Sequence, residues 1–302
     1  MIENKKIYIA GGGGMLGEGF YKVFGSNNTI LCSDIDTNED WISYLDFRDS
    51  DAYAREVEEF KPDYLFHLGA HTSLEYCEEN PEDAYATNTI PVETAVHIAN
   101  NLNIPLLYIS TAGIFDGAQD TYDDWDLPNP LGHYARSKYM GERFVAENAS
   151  KYLVCRAGWM MGAGPKKDKK FIQKIIHQIH EGKKELFVVD DKLGTPTYTH
   201  DFARNVELLL SKEFWGIYNM VCGGITGRLE VAVELVALLG LADLVEVTPV
   251  KSDYFSEEYF AARPASERLL TSKLDLRNAN VMRDWKECLK EYISNYYEGY
   301  LK

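Results

Sequence analysis

The chain has 302 residues, 45% of them hydrophobic and 26% charged, the usage of an ordinary globular protein rather than a disordered, collagen-like or repeat chain. Its 31 Lys and Arg against 47 Asp and Glu leave a net charge of −16, which excludes the phosphate-neutralising surface of a nucleic-acid binder and a face for anionic membranes. Five scattered cysteines (Cys32, Cys77, Cys155, Cys222, Cys288) form no C-x-x-C pair, so reduced thiols in a cytoplasm are expected rather than a disulfide framework or a zinc site.

Met1 to Lys6 lead straight into an apolar strand over 7–10, with no signal-peptide pattern before it. Gly11, Gly12, Gly13 and Gly14 follow, then a helical stretch over 15–24. Residues 29–33 read as a second strand ending at Asp34, 52–60 as a helix, and Lys61-Pro62-Asp63 as a turn into a strand over 64–68. Residues 83–100 have helical character with Pro91 inside, where the lost bond to the carbonyl of residue 87 predicts a kink. A buried strand over 105–110, a helix over 133–147 and a strand over 152–156 come next. Strands alternating with helices at this spacing predict βαβ units and a doubly wound parallel sheet. After Ala157 the regularity loosens. Residues 169–181, 201–210 and 229–239 read as helices, and a last helix puts Trp285, Leu289, Tyr292, Tyr296 and Tyr300 on one side, a stripe expected in the core rather than around a ligand. No apolar run approaches the ~18 residues of a membrane span. The C-terminal part is expected to be a smaller lobe packed on the first, with a ligand cleft between them.

The segment from Ile7 to Gly17 joins a strand, a glycine turn and a helix start. It fits G-x-x-G-x-x-G on Gly11, Gly14 and Gly17, and G-x-G-x-x-G on Gly12, Gly14 and Gly17. Without Cβ atoms such a turn lets a pyrophosphate approach the backbone, and the helix N-terminus supplies N–H groups and a positive dipole end. Asp34 lies 17 residues after Gly17, near the ~20-residue offset of an acid that holds an adenosine ribose. Farther on, Tyr134-Ala135-Arg136-Ser137-Lys138 puts a phenol and an ammonium on one helix face. A nearby cation is expected to pull the phenol down from its ordinary ~10, and the same lysine can hydrogen-bond a cofactor ribose. The preceding strand ends in Ser110-Thr111, where a hydroxyl can hold a substrate oxygen.

With these residues in this order, the whole chain resembles an extended short-chain dehydrogenase/reductase, and within that group it is similar to the dTDP-4-dehydrorhamnose reductase family. Lys61-Pro62-Asp63 followed by Gly69-Ala70-His71-Thr72 resembles the family's fourth-strand cofactor segment, and Asn88 an asparagine that interrupts a helix. Ile109-Ser110-Thr111-Ala112-Gly113-Ile114-Phe115-Asp116-Gly117 is similar to the family's S-T-D-x-V-F-x-G run. Tyr122-Asp123-Asp124-Trp125-Asp126, Pro130-Leu131 and Tyr134 to Lys138 with Gly141-Glu142 resemble its catalytic-helix segment. Arg156 to Trp159, Val189 to Thr197, and Arg263-Pro264 with Ser266 resemble its C-terminal landmarks.

The resemblance implies an α/β fold with a Rossmann-type doubly wound parallel sheet, residues 1–158 binding NAD(P) and 159–302 forming mainly a substrate lobe, with part of 196–225 returning to the first domain. It assigns Gly11, Gly14, Met15, Leu16 and Gly17 to the pyrophosphate, Asp34 to the adenosine ribose, Asp46 and Phe47 to the adenine edge, and Leu68, Gly69 and Ala70 to the nicotinamide half. Thr111, Tyr134 and Lys138 are the implied catalytic residues, with Thr72, Ala112, Trp159, Lys170 and Arg263 around the substrate. The implied reaction is reduction of the C4 ketone of a nucleotide-linked deoxysugar. NADH is the expected cofactor, with NADPH second, because no Arg or Lys lies between Cys32 and Asp40 to offset Asp34; Arg48, which follows the proposed adenine segment, is the nearby candidate. No metal ligands stand out; a homodimer is the one assembly to expect, and neither nucleic acid nor membrane is an expected partner.

The chain departs from the family pattern at three places. Ala112 replaces an acid, Gly113 a residue that is often aromatic, and Lys170 an asparagine that often contacts the diphosphate. Lys166, Lys167, Lys169 and Lys170 read either as a basic patch for that diphosphate or as a solvated helix start. Two other readings share the fold. One is a sugar-nucleotide epimerase or dehydratase, and dehydratases usually carry an Asp-Glu pair that Ala112-Gly113 lacks; the other is a regulatory subunit, like that of methionine adenosyltransferase, which would have no turnover.

Overall fold

A computed structural model describes residues 1–300. Its strands are β1 (Lys6–Ala10), β2 (Thr29–Asp34), β3 (Ile42–Tyr44), β4 (Tyr64–His67), β5 (Leu106–Thr111), β6 (Tyr152–Ala157), β7 (Trp159–Met161), β8 (Glu185–Val189), β9 (Leu193–Gly194), β10 (Pro196–Tyr198), β11 (Gly216–Asn219), β12 (Glu246–Val250) and β13 (Ser266–Glu267). Seven of them form one parallel sheet in the order β11-β6-β5-β4-β1-β2-β3, the expected doubly wound arrangement. The order reverses between β1 and β4, and ligands of such sheets bind in the crevice at the carboxyl ends of the strands there.

Both faces of the sheet are covered, which is why its strands read as continuous apolar runs. Ile7 and Ile9 of β1 pack into one core with Leu107, Ile109, Leu153 and Cys155, while Tyr8 and Ala10 point into the other with Leu106, Tyr108 and Val154. Helices α1 (Met15–Phe24), α2 (Ser50–Phe60), α3 (Leu74–Glu79), α4 (Pro81–Asn88), α5 (Ile90–Leu102), α6 (His133–Asn148), α7 (Gly164–Lys167), α8 (Phe171–His180), α9 (Thr199–Ser211), α10 (Arg228–Leu238), α11 (Ser272–Leu276) and α12 (Trp285–Tyr297) complete the chain. Phe20 and Phe24 of α1 join Phe202 of α9 in the first core, whereas Tyr53 and Val57 of α2 and Val92 and Val96 of α5 fill the second. Beyond β6, three short parallel pairs, β7 with β10, β8 with β12 and β9 with β13, carry the C-terminal part.

The sequence reading differs from the structure at 83–100. Two helices, α4 and α5, replace one kinked helix, and Pro91 lies in the first turn of α5, where its missing N–H costs nothing. The break is set by Asn88. Its side chain leaves the helix pattern to accept from the His71 N–H (2.7 Å) and donate to the His71 carbonyl (3.0 Å) and Ser137 Oγ (3.1 Å). The terminal stripe is core as expected: Trp285, Leu289 and Tyr292 are buried. Asp124, buried in the 116–132 connection, accepts from the backbone N–H of Asn219 (2.7 Å) and Lys273 (2.9 Å), tying that loop to β11 and α11.

Candidate active site

The glycine turn leaves β1 at the crevice. Gly11 has φ +83°, and a Cβ on it would fall 2.2 Å from Gly69 Cα, so both glycines are needed where the β1 and β4 ends meet. A Cβ on Gly17 would strike the Gly12 carbonyl oxygen at 1.9 Å. Gly14 differs: nothing lies within 4 Å of its Cβ position, and no side chain caps α1 there. The N–H groups of the first turn, carried by Met15, Leu16 and Gly17, therefore stand open toward the crevice. An open helix N-terminus approached over bare glycine fits a pyrophosphate.

Asp34 ends β2 beside this turn. Its Oδ2 accepts from Gly13 N–H and its Oδ1 from Asp36 N–H, each at 2.9 Å, which aims the carboxylate while leaving lone pairs for a pair of hydroxyls. Arg48 does not stand beside it. The guanidinium forks onto Asp46 (2.7 Å) and reaches Asp83 (3.3 Å), holding the Asp46 carboxyl below the ordinary range. The Phe47 ring lies against Gly69, where a Cβ would meet it at 2.2 Å, and packs edge-on to His67 at 5.1 Å. Leu68 and Gly69 donate to the Ala10 carbonyl, which brings Leu68, Gly69 and Ala70 to the β1–β4 junction.

Thr111, Tyr134 and Lys138 come together at the end of β5. The Tyr134 phenol stands near enough to Thr111 for that side chain to act on its acidity, and Thr111 Oγ1 accepts from Gly113 N–H at 3.1 Å. Lys138 is buried, with its ammonium 4.3 Å over the Tyr108 ring, and Tyr108 in turn donates to the Lys138 carbonyl at 2.9 Å. One expectation is overturned here. Desolvation pushes the Tyr134 phenol up to about 12, with only Thr111 pulling it down. Burial instead brings Lys138 down to about 7, against the pull of Glu142. The lysine, desolvated over an aromatic ring, absorbs the shift that sequence reasoning gave to the phenol.

Ser137 sits between these two residues on α6, and its Oγ receives the Asn88 amide while its carbonyl receives Thr89 Oγ1 (2.9 Å). Asn88 thus braces α6 against the 68–72 segment. Below, Glu142 and Arg156 form a buried fork with oxygen–nitrogen distances of 2.7–3.2 Å that clamps α6 to β6.

On the substrate side the structure splits the lysine run. Lys170 turns inward and donates to Thr72 Oγ1 (2.8 Å) and the Thr72 carbonyl (3.1 Å). Lys166 bonds Glu39 (2.9 Å) and the Asn38 carbonyl, buried Lys167 lies 3.5 Å from Glu39, and Lys169 is exposed. The four lysines do not form one patch, because α7 ends between them and sends its own pair to the loop after β2. Arg263 is paired with Glu75 at 2.6 Å. Ala112 is buried, and a Cβ on Gly113 would lie 3.2 Å from Glu267 Oε1.

Two residues escaped sequence reasoning. The Arg228 guanidinium lies 3.8 Å over the Trp159 ring and 4.6 Å over Phe171, with no carboxylate at ion-pair distance among the described residues. Burial brings it down to about 10, with Arg263 pushing the same way, and Arg228 in turn helps hold Lys170 low. Glu267 acts in the opposite sense on Arg228, and Asp168 does so on Lys170. Glu267 accepts from Trp159 Nε1 at 2.6 Å. Neither residue follows a periodicity or a motif, and no local signal finds them.

Comparison with known proteins bears on this geometry. The family model described as RmlD substrate binding domain matches residues 5–298. A dTDP-4-dehydrorhamnose reductase of Aggregatibacter actinomycetemcomitans is 26% identical over 294 residues, covering 94% of this chain and 97% of the relative. The crystal structure of a Clostridium acetobutylicum dTDP-4-dehydrorhamnose reductase superposes with a TM-score of 0.86 at 33% identity, covering 96% of this chain and 99% of the other. The corresponding reductase of Bacillus anthracis, solved in complex with NADP, gives a TM-score of 0.87 at 26% identity over 97% and 99%.

Proposed function

This chain belongs to the RmlD substrate binding domain family, and from that footing we propose that it is an NAD(P)H-dependent oxidoreductase reducing the C4 ketone of a nucleotide-linked deoxysugar, with dTDP-4-dehydrorhamnose the first substrate to try. The observation that carries the reading is the grouping of Thr111, Tyr134 and buried Lys138 at the strand ends beside an open glycine turn. The nicotinamide cofactor, when bound, supplies the hydride. Thr111 and Tyr134 hold the carbonyl oxygen between them. Tyr134, with its proton held to about pH 12, donates that proton as negative charge develops on the oxygen. Lys138 reaches a cofactor ribose and, when protonated, supplies the compensating positive charge. Arg228 and Lys170 bind the diphosphate of the nucleotide, which an acidic protein must attract with local cations.

Residues 1–158 serve the cofactor and 159–302 mainly the sugar nucleotide. The preferred cofactor is NADH. Asp34 would face a 2′-phosphate at about 4 Å with a repulsion of about 4 kcal/mol before screening, and a third of that is roughly tenfold. Arg48 is already spent on Asp46 and Asp83, and Lys166 and Lys167 share Glu39. The test of the reaction is NAD(P)H oxidation with dTDP-, UDP-, GDP- and CDP-linked 4-keto sugars. Turnover with at least one supports the reading, and none with any of them overturns it.

A further inference from the structure

The position after Thr111 carries no acid and no bulk, since Ala112 is a small buried residue and Gly113 has no side chain. The gap is filled from another part of the chain. A Cβ built on Gly113 would lie 3.2 Å from Glu267 Oε1 and 3.5 Å from Thr111 Oγ1, so the Glu267 carboxylate reaches over Gly113 into the reacting end of the site. Any residue larger than glycine at 113 would crowd it.

Glu267 is held there deliberately. It lies on β13, whose register sets Glu267 opposite Gly194 of β9. Gly194 makes room for Trp159, because a Cβ on it would enter the indole at 2.3 Å. Trp159 Nε1, fixed between Gly194 and the Arg228 guanidinium, donates to Glu267 Oε2 at 2.6 Å. The other oxygen, Oε1, accepts no hydrogen bond and makes no ion pair among the described residues. One oxygen is therefore anchored while its partner faces the space next to Thr111 and Tyr134. The negative charge also acts on Tyr134 in the direction that keeps its proton on.

Resting on the ketoreductase reading above, we propose that Glu267 is a specificity-determining residue: Oε1 accepts a hydrogen bond from a hydroxyl on the sugar-ring carbon next to the carbonyl. An ionised carboxylate only accepts, so it rewards a donor and is penalised when desolvated against a bare methylene. A site built to receive a substrate hydroxyl rejects the analogue lacking it far more strongly than a hydrophobic pocket rejects a missing methyl group.

The test compares kcat/KM for two nucleotide-linked 4-keto sugars, one hydroxylated at the adjacent carbon and one deoxygenated there, in wild type, Glu267→Gln and Glu267→Ala. Wild type should favour the hydroxylated sugar by about 100-fold or more. Glu267→Ala should cut that preference below about tenfold by losing activity on the hydroxylated sugar alone, and Glu267→Gln, which still offers a carbonyl oxygen, should keep most of it. A preference retained in Glu267→Ala, or equal losses on both sugars, overturns the proposal. If wild type turns over neither sugar, the reductase reading falls, and Glu267 is judged by calorimetric binding of both sugar nucleotides and of the bare nucleoside diphosphate. Weakened binding of the hydroxylated sugar nucleotide alone then supports the proposal, and equal effects on all three ligands overturn it.

Discussion

Tyr134 and Lys138 divide the proton chemistry between them in a way their spacing alone did not foretell. Desolvation keeps the phenol protonated up to about pH 12, the form that can donate to a developing alkoxide. Replacing Tyr134 by Phe should leave cofactor affinity near wild type and lower kcat by ~10²–10⁴, the usual worth of a positioned acid; steady-state kinetics beside a cofactor titration would measure both. Lys138, brought down to about 7 by burial, is an ammonium below that pH and a neutral amine above it. A bound anionic cofactor favours the charged form, so cofactor Kd should rise by up to about tenfold between pH 6 and pH 8. Fluorescence titrations across that range should show the rise in wild type and a flat profile in Lys138→Met. Asp34 sets the third expectation at this scale. NADH should exceed NADPH in kcat/KM by about tenfold, and Asp34→Ala should narrow the ratio. Equal or better use of NADPH by wild type would mean that Lys166 or Lys167 lends its charge to a 2′-phosphate despite Glu39, a result that Lys166→Ala would localise.

At the scale of elements, α6 is the part whose placement matters most, since one helix carries both Tyr134 and Lys138. Two interactions fix it from opposite sides: Asn88 at Ser137, and the Glu142–Arg156 fork against β6. The fork is almost fully withdrawn from water, with side-chain exposures of 2% and 5%. Removing one partner strands a buried charge. Glu142→Ala should therefore cost about 3–5 kcal/mol of unfolding free energy, measured by urea denaturation, well above the loss of an exposed pair such as Arg143–Glu147. Asn88 also shows what local patterning hides. Its helical neighbours and Pro91 are consistent with one kinked helix; only the resemblance marked an interruption at Asn88, whose side chain bonds across to His71 and Ser137, contacts with no trace in the periodicity.

Over the whole molecule, the sheet and its crevice were legible because each strand–helix unit is local and the glycine turn, Asp34, Thr111 and the Tyr-x-x-x-Lys pair all lie within the first 138 residues. On the sugar side only the resemblance named residues, among them Thr72, Trp159, Lys170 and Arg263, and it left out Glu267 and Arg228. Trp159 meets Glu267 across 108 positions of sequence, Lys170 meets Thr72 across 98, and Arg228 reaches Trp159 from the start of α10. Such contacts are made by tertiary packing of short strands that have no period of their own. The lysine run shows the converse: four basic residues adjacent in sequence are dispersed in space. Net hydride transfer to the sugar C4 separates a reductase from an epimerase or a non-catalytic subunit of the same fold. The most direct test supplies reduced cofactor deuterated at the transferring position of the nicotinamide, together with a dTDP-linked 4-keto-6-deoxysugar, and locates the label by NMR. One deuterium should appear on the sugar C4 for each cofactor oxidised, with the rate falling in Tyr134→Phe. Sugar product without label at C4, or cofactor left unoxidised, would contradict hydride transfer to C4.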